Sequence, residues 1–208
     1  MKRVIFLAWL CFFLVPTAWA QEKCEAPVWN VGDKWTYKLV TGDTLTHEVI
    51  EIKQESYILK MEGGDGPNLI GYDKSNMNVR FLIEEGGRQV ESDNPLRKLF
   101  DFPISVGKKW SDATSSYVPL GPNKRGKALF EQAFKVVGFE EIAISAGKLK
   151  AYKIHFAQTH QASRNSGWIR FWYSPEAKNW IKREVEKGPF WKNAPWAKDA
   201  ELVSYTLK

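Results

Sequence analysis

The sequence predicts an all-β fold: one strongly curved antiparallel sheet, a half-barrel or open barrel, with few short helices. A two-sheet β-sandwich is the alternative. Three observations lead there. Polar and apolar residues alternate with a period of two along most of the chain, as in strands with one buried face. Clusters of Gly, Asn and Asp break that alternation at short intervals, as turns do. Near the C-terminus the segment "WIRFWY", Trp168 to Tyr173, is apolar on both faces, which suits a sheet curled around its own contents.

The first twenty residues stand apart. Lys2 and Arg3 precede a 12-residue apolar run, Val4 to Val15, followed by Pro16 and "TAWA" up to Ala20. A basic start, a short apolar core and small residues before a cut make a secretory signal peptide, with cleavage expected after Ala20. The run falls well short of the roughly 20 residues of a membrane-spanning helix. Neither Cys11 nor Cys24 follows the small residues that lipid attachment requires. The mature product is therefore expected to be soluble and exported, either periplasmic or secreted.

Residues 21–208 are expected to form a single β-rich domain with no transmembrane segment. Losing Lys2 and Arg3 lowers the formal charge of +6 by two. The remaining charges are interspersed, which argues against nucleic acid as a partner. Cys24 is the one cysteine left, so no internal disulfide forms and a free thiol is expected.

The strands follow in order. "KWTYKLV" sets Trp35, Tyr37 and Leu39 on one face and Lys34, Thr36 and Lys38 on the other. "THEVIEIKQ", "SYILKME", "LIGYD", "MNVRFLIEE" and "RQVES" continue the meander. In "DNPLRKLFDFP", Asn94 and Pro95 read as a helix start, predicting one or two helical turns that end near Pro103. "SSYVPLGPNKRGK" reads as a polar loop with a basic tip at Lys124 and Arg125. Strands resume with "LFEQAFKVVGFEEI", turn at Ala146 and Gly147, and continue through "AYKIHFAQ". A hairpin turning over Ser174 to Lys178 and a last strand, "ELVSYTLK", end the chain. The motif Val-Gly-X-Lys-Trp occurs twice, at Val31 to Trp35 and Val106 to Trp110. Both copies are expected to be strand-entry turns, with glycine in the turn and tryptophan dropping into the core.

Chemistry-bearing patterns are sparse. His47, His155 and His160 spell out no metal cluster, and no metal or cofactor is expected. No nucleophile elbow or phosphate loop is present, and adjacent carboxylates such as Glu84 and Glu85 point to opposite faces of a strand. No catalytic residue is assigned. Aromatic residues carry the signal, since eight of the ten tryptophans lie beyond residue 20. Trp168, Arg170 and Trp172 share one strand face and form a candidate ligand-binding set, with Arg170 placed for cation–π stacking. The loop "GPFWKNAPW", Gly188 to Trp196, holds Phe190, Trp191 and Trp196, either as a plug over the core or as a partner-docking set.

In order, "VGDKWTY", "FPISVGKKW", "EEIAISAGKLKAYKI" and "WYSPEAKNWIKRE" resemble the DUF3108-like group of exported, β-rich bacterial proteins of unknown function. The resemblance runs from about Pro27 to the C-terminus. It implies a strand-rich, exported body and supplies no catalytic residues.

Three functions remain open on the sequence. The first is a non-catalytic envelope protein that binds a lipid or other amphipathic molecule in the concave sheet. The second is an interaction module that docks on an envelope protein through residues 188–196. The third is a hydrolase acting on envelope glycans.

Overall fold

The structure, a computed structural model, describes residues 23–63, 68–83, 89–91, 98–121, 124–192 and 197–208. The expected signal peptide, residues 1–20, lies outside them. Twelve strands appear among the described residues. The first six are β1 (Lys34–Leu39), β2 (Thr44–Ile52), β3 (Ser56–Glu62), β4 (Leu69–Asp73), β5 (Val79–Ile83) and β6 (Gln89–Glu91). The second six are β7 (Lys109–Gly121), β8 (Lys124–Ile144), β9 (Gly147–His160), β10 (Ser166–Ser174), β11 (Asn179–Val185) and β12 (Ala200–Thr206). All pair antiparallel in one sheet of order β6-β5-β4-β3-β2-β1-β12-β11-β10-β9-β8-β7. The sheet is not closed into a barrel, in keeping with the expected curved open sheet.

The order resolves into two six-stranded meanders, β1 to β6 and β7 to β12, joined where β1 pairs with β12. Each begins with a Val-Gly-X-Lys-Trp copy, and both copies make the same hydrogen bonds. Gly32 N–H donates to the Val49 carbonyl (2.8 Å) and Gly107 N–H to that of Val136 (2.9 Å). Val49 and Val136 donate back to Asp33 and Lys108, at 2.9 Å each. Asp33 N–H closes a turn on Asn30 and Lys108 N–H one on Ser105. The glycines sit at φ +90° and +87°, where a side chain would be strained. Trp35 and Trp110 are buried.

The correspondence continues beyond the motif. One residue bulges after Val49 and one after Val136. Tyr57 and Tyr152, both buried, follow on the next strands. The β4–β5 and β10–β11 turns run Tyr72 to Asn78 and Tyr173 to Asn179, with left-handed residues at Met77 and Lys178 and a buried asparagine ending each.

The sheet curls strongly. Tyr72 on β4 and Tyr173 on β10 line one gap of only about 10 Å³. In a flat sheet, six strand steps would set them roughly 29 Å apart. Trp29 draws the halves together: its ring lies 5.2 Å from that of Trp35 and 5.4 Å from that of Tyr57, and its indole N–H donates to the Lys178 carbonyl at 2.9 Å. Trp35 donates likewise to the Ala177 carbonyl at 2.6 Å.

Two segments cross the inner face, pinned to each other where Cys24 and Ile104 exchange backbone hydrogen bonds of 2.8 and 2.7 Å. Cys24 is buried there and forms no disulfide among the described residues. The tip of the β8–β9 hairpin is tied to β12, with Ser145 N–H and Oγ donating to Glu201 Oε1 at 2.7 and 2.9 Å.

Two expectations need correction. Of the helical turns predicted to end near Pro103, residues 92–97 lie outside the described residues, and 98–103 are irregular. The Lys98 backbone is satisfied by β7 side chains instead: its N–H donates to Asp112 (3.0 Å) and its carbonyl accepts from the Trp110 indole (3.3 Å). The one helical element described is the single 3-10 turn Pro189–Trp191. The "polar loop" of residues 115–127 is strand on both sides of residues 122–123, which lie outside the described residues; it extends the β7–β8 ladder to Gly121 and Lys124.

Candidate functional site

On β10 the alternation separates two faces. Ile169, Phe171 and Tyr173 are buried in the interior with Phe134, Ile154, Phe156 and Trp191. That interior is filled by the protein's own rings, and the 10 Å³ gap is no larger than one water requires. Trp168, Arg170 and Trp172 point to the opposite face.

The three do different things there. Trp168 is half-buried, with the Arg170 guanidinium 4.3 Å from its ring centroid and the His155 ring edge-on at 5.9 Å. Arg170 also reaches Glu184 on β11, at 3.7 Å. Trp172 is buried and fully engaged: its indole donates to Glu140 Oε1 (2.8 Å), and the Lys153 and Lys182 ammonium groups each lie 5.0 Å from its ring. The donated Trp172 N–H, with Lys153 and Lys182 nearby, holds the Glu140 carboxyl below the usual carboxylate range. Burial, reinforced by Arg170, lowers the pKa of His155, keeping its ring neutral at pH 7.

Beside Trp168 the sheet carries a row of small residues. Ser111, Ala133, Ala157 and Trp168 stand opposite one another across β7, β8, β9 and β10. The three small residues floor an open trough of about 600 Å³, edged by Glu131 and Thr159. Trp168 continues the row on β10, opposite Ala157, and the trough itself is lined by β7, β8 and β9.

No family model matches the chain, and no curated protein matches it. The resemblance to the DUF3108-like group therefore rests on its motifs alone. Solved structures do match. The chain is similar in fold to the hypothetical lipoprotein YmcC of Escherichia coli K12, with a TM-score of 0.51 and 15% identity over 87% of this chain and 90% of that one. A chain from Bacteroides fragilis NCTC 9343, named a "putative exported protein with YmcC-like fold", aligns at 12% identity and a TM-score of 0.44, over 88% of this chain and 99% of that one. The YmcC likeness establishes a shared fold.

The described part of the aromatic loop, residues 188–192, packs back onto the sheet. Trp191 is 5% exposed and packs on Phe156, with ring centroids 6.2 Å apart. Phe190 is half-buried against Trp191 and Phe130. Both rings lie so close over Gly167 that a Cβ there would meet them at 2.5–2.9 Å. Of the docking set, Trp191 thus has almost no free surface, and Trp196 lies outside the described residues. Among the described residues, no three His, Cys, Asp or Glu side chains gather as a metal site.

Proposed function

We propose that this chain is an exported, non-catalytic envelope protein that binds an amphipathic small molecule on the open face carrying Trp168 and Arg170. Export is supported by the basic, apolar and small-residue pattern of residues 1–20. The carrying observation is the half-buried Trp168 ring, capped by Arg170 at 4.3 Å and set by register opposite Ala157 of the trough floor. An indole face beside a guanidinium offers an apolar surface and a charge to one ligand. Trp172, locked by Glu140, Lys153 and Lys182, fixes the strand beneath that pair rather than meeting the ligand itself. The filled interior moves the expected ligand from the inner face to this outer one.

The test is a tryptophan-fluorescence titration of purified protein with amphipathic and saccharide libraries, beside mass spectrometry of co-purified small molecules. Trp168→Ala should abolish binding read by isothermal calorimetry, which does not depend on the indole removed, while the variant still unfolds cooperatively in urea. Binding that survives in Trp168→Ala, or none to any compound, sinks the proposal.

A further inference from the structure

The two meanders give an internal control. Equivalent positions on the outer face can be compared across one scaffold used twice. In the N-terminal half, one row across β1, β2, β3 and β4 reads Lys34, Glu48, Lys60, Leu69. Its charges are compensated: Lys34 pairs with Glu48 at 3.1 Å, and Lys60 with Glu62. The same row across β7, β8, β9 and β10 reads Lys109, Lys135, His155, Arg170. Where the first half places a glutamate, the second places a lysine directly opposite another lysine.

Like charges facing each other across a ladder are destabilising, and the N-terminal half demonstrates that the fold does not require them. Among the described residues neither Lys109 nor Lys135 has a carboxylate within ion-pair distance, whereas Lys34 does. The basic row runs alongside the trough, one strand pleat from Ser111, Ala133 and Ala157, and ends at Arg170 on the Trp168 ring. Three strand steps make it roughly 14 Å long.

From this we infer that the outer face alongside the trough takes an acidic oligosaccharide, its anionic groups on Lys109, Lys135 and Arg170 and a sugar ring on Trp168. The inference rests on the proposal that the Trp168 face binds a ligand, and it names that ligand's class. A saccharide fits better than an acyl chain because the trough is open, edged by Thr159 and by a Glu131 carboxylate that Arg164 pairs at 3.6 Å, and flanked by the basic row.

Lys135→Glu decides the matter, because it rebuilds the N-terminal half's Lys-Glu pattern at an exposed position and should leave stability equal or raised. Titrations of the mature chain use trigalacturonic acid, uncharged maltotriose, and vesicles of phosphatidylglycerol in phosphatidylcholine. The inference expects trigalacturonic acid to bind more tightly than maltotriose, with affinity falling as salt is added and dropping at least about tenfold in Lys135→Glu. Equal binding of the two saccharides, or unchanged affinity in Lys135→Glu, overturns the acidic-oligosaccharide inference while leaving the Trp168 proposal standing. Binding to the vesicles without binding to the saccharide overturns it in favour of a lipid headgroup. Saccharide binding that is indifferent to Trp168→Ala removes the proposal beneath it as well.

Discussion

His47 on β2 is fully enclosed, its ring 5.2 Å from that of Tyr37 and 6.0 Å from that of Trp180, while Tyr37 stacks on Trp180 at 3.8 Å. Burial, with Arg183 adding to it, lowers its pKa from 6.5 to about 3. Above pH 6.5 the ring is neutral in both the folded and unfolded chain, and its full contribution is present. As pH falls toward 3, the unfolded chain binds a proton that the native state refuses. Stability should then drop by about 1.4 kcal/mol per pH unit from this group and level off below the folded value. Urea midpoints at pH 7, 5.5 and 4.5 check this, with His47→Gln giving a shallower slope; parallel slopes would remove His47 as the cause. At this scale the sequence was partly legible. Alternation marks Trp35, Tyr37 and Leu39 as core, and all three are buried. It also groups Trp168, Arg170 and Trp172, but their division of labour depends on Glu140, Lys153 and Lys182 from neighbouring strands. Lys109, Lys135, His155 and Arg170 were not singled out together, because four strands contribute one residue each and only the register unites them.

The turn that opens each meander is one element used twice, so its two glycines should respond alike. A Cβ at Gly107 would meet nothing within 4 Å, and one at Gly32 only the Lys208 side chain at 3.4 Å. Gly107→Ala and Gly32→Ala should therefore each cost about 1–2 kcal/mol through backbone strain alone, measured by urea unfolding. A neutral substitution at either site would deny the shared geometry. The plug makes the opposite case, since Gly167 is needed for space. Gly167→Ala should push Phe190 and Trp191 off the sheet, shift tryptophan emission to the red and cost roughly 1–3 kcal/mol. Unchanged emission would mean that the 3-10 turn is not seated as described. Individual strands and tight turns were legible because alternation and glycine are local signals. The duplication was legible at its first motif only. Equivalent residues lie 75 apart at Val31 and Val106, 87 apart at Val49 and Val136, and 101 apart at Tyr72 and Tyr173. The second meander lengthens its hairpins progressively, so no fixed period survives to be found.

At the scale of the whole molecule, the two meanders do not have separate cores. Trp29 and Trp35, ahead of and within β1, donate to carbonyls in the β10–β11 turn, and one cluster holds residues from β1, β2, β3, β9, β11 and β12. Unfolding should accordingly be one cooperative transition, with tryptophan fluorescence and far-ultraviolet dichroism superimposing in urea. Two separated transitions would mean that the halves are independent domains. The seam between them has a further consequence, for the order of assembly. β1 pairs with β12, bringing Lys34 opposite Thr206, so the centre of the sheet joins strands far apart in the sequence. Until β12 is synthesised, β1 keeps one bare backbone edge, open to pairing with any other extended chain. Contacts spanning so much sequence slow folding, and here the slowest closure falls in the middle of the sheet. A sheet of this layout is finished from its margins inward, and its nascent form is most vulnerable at the place where the completed protein is best protected.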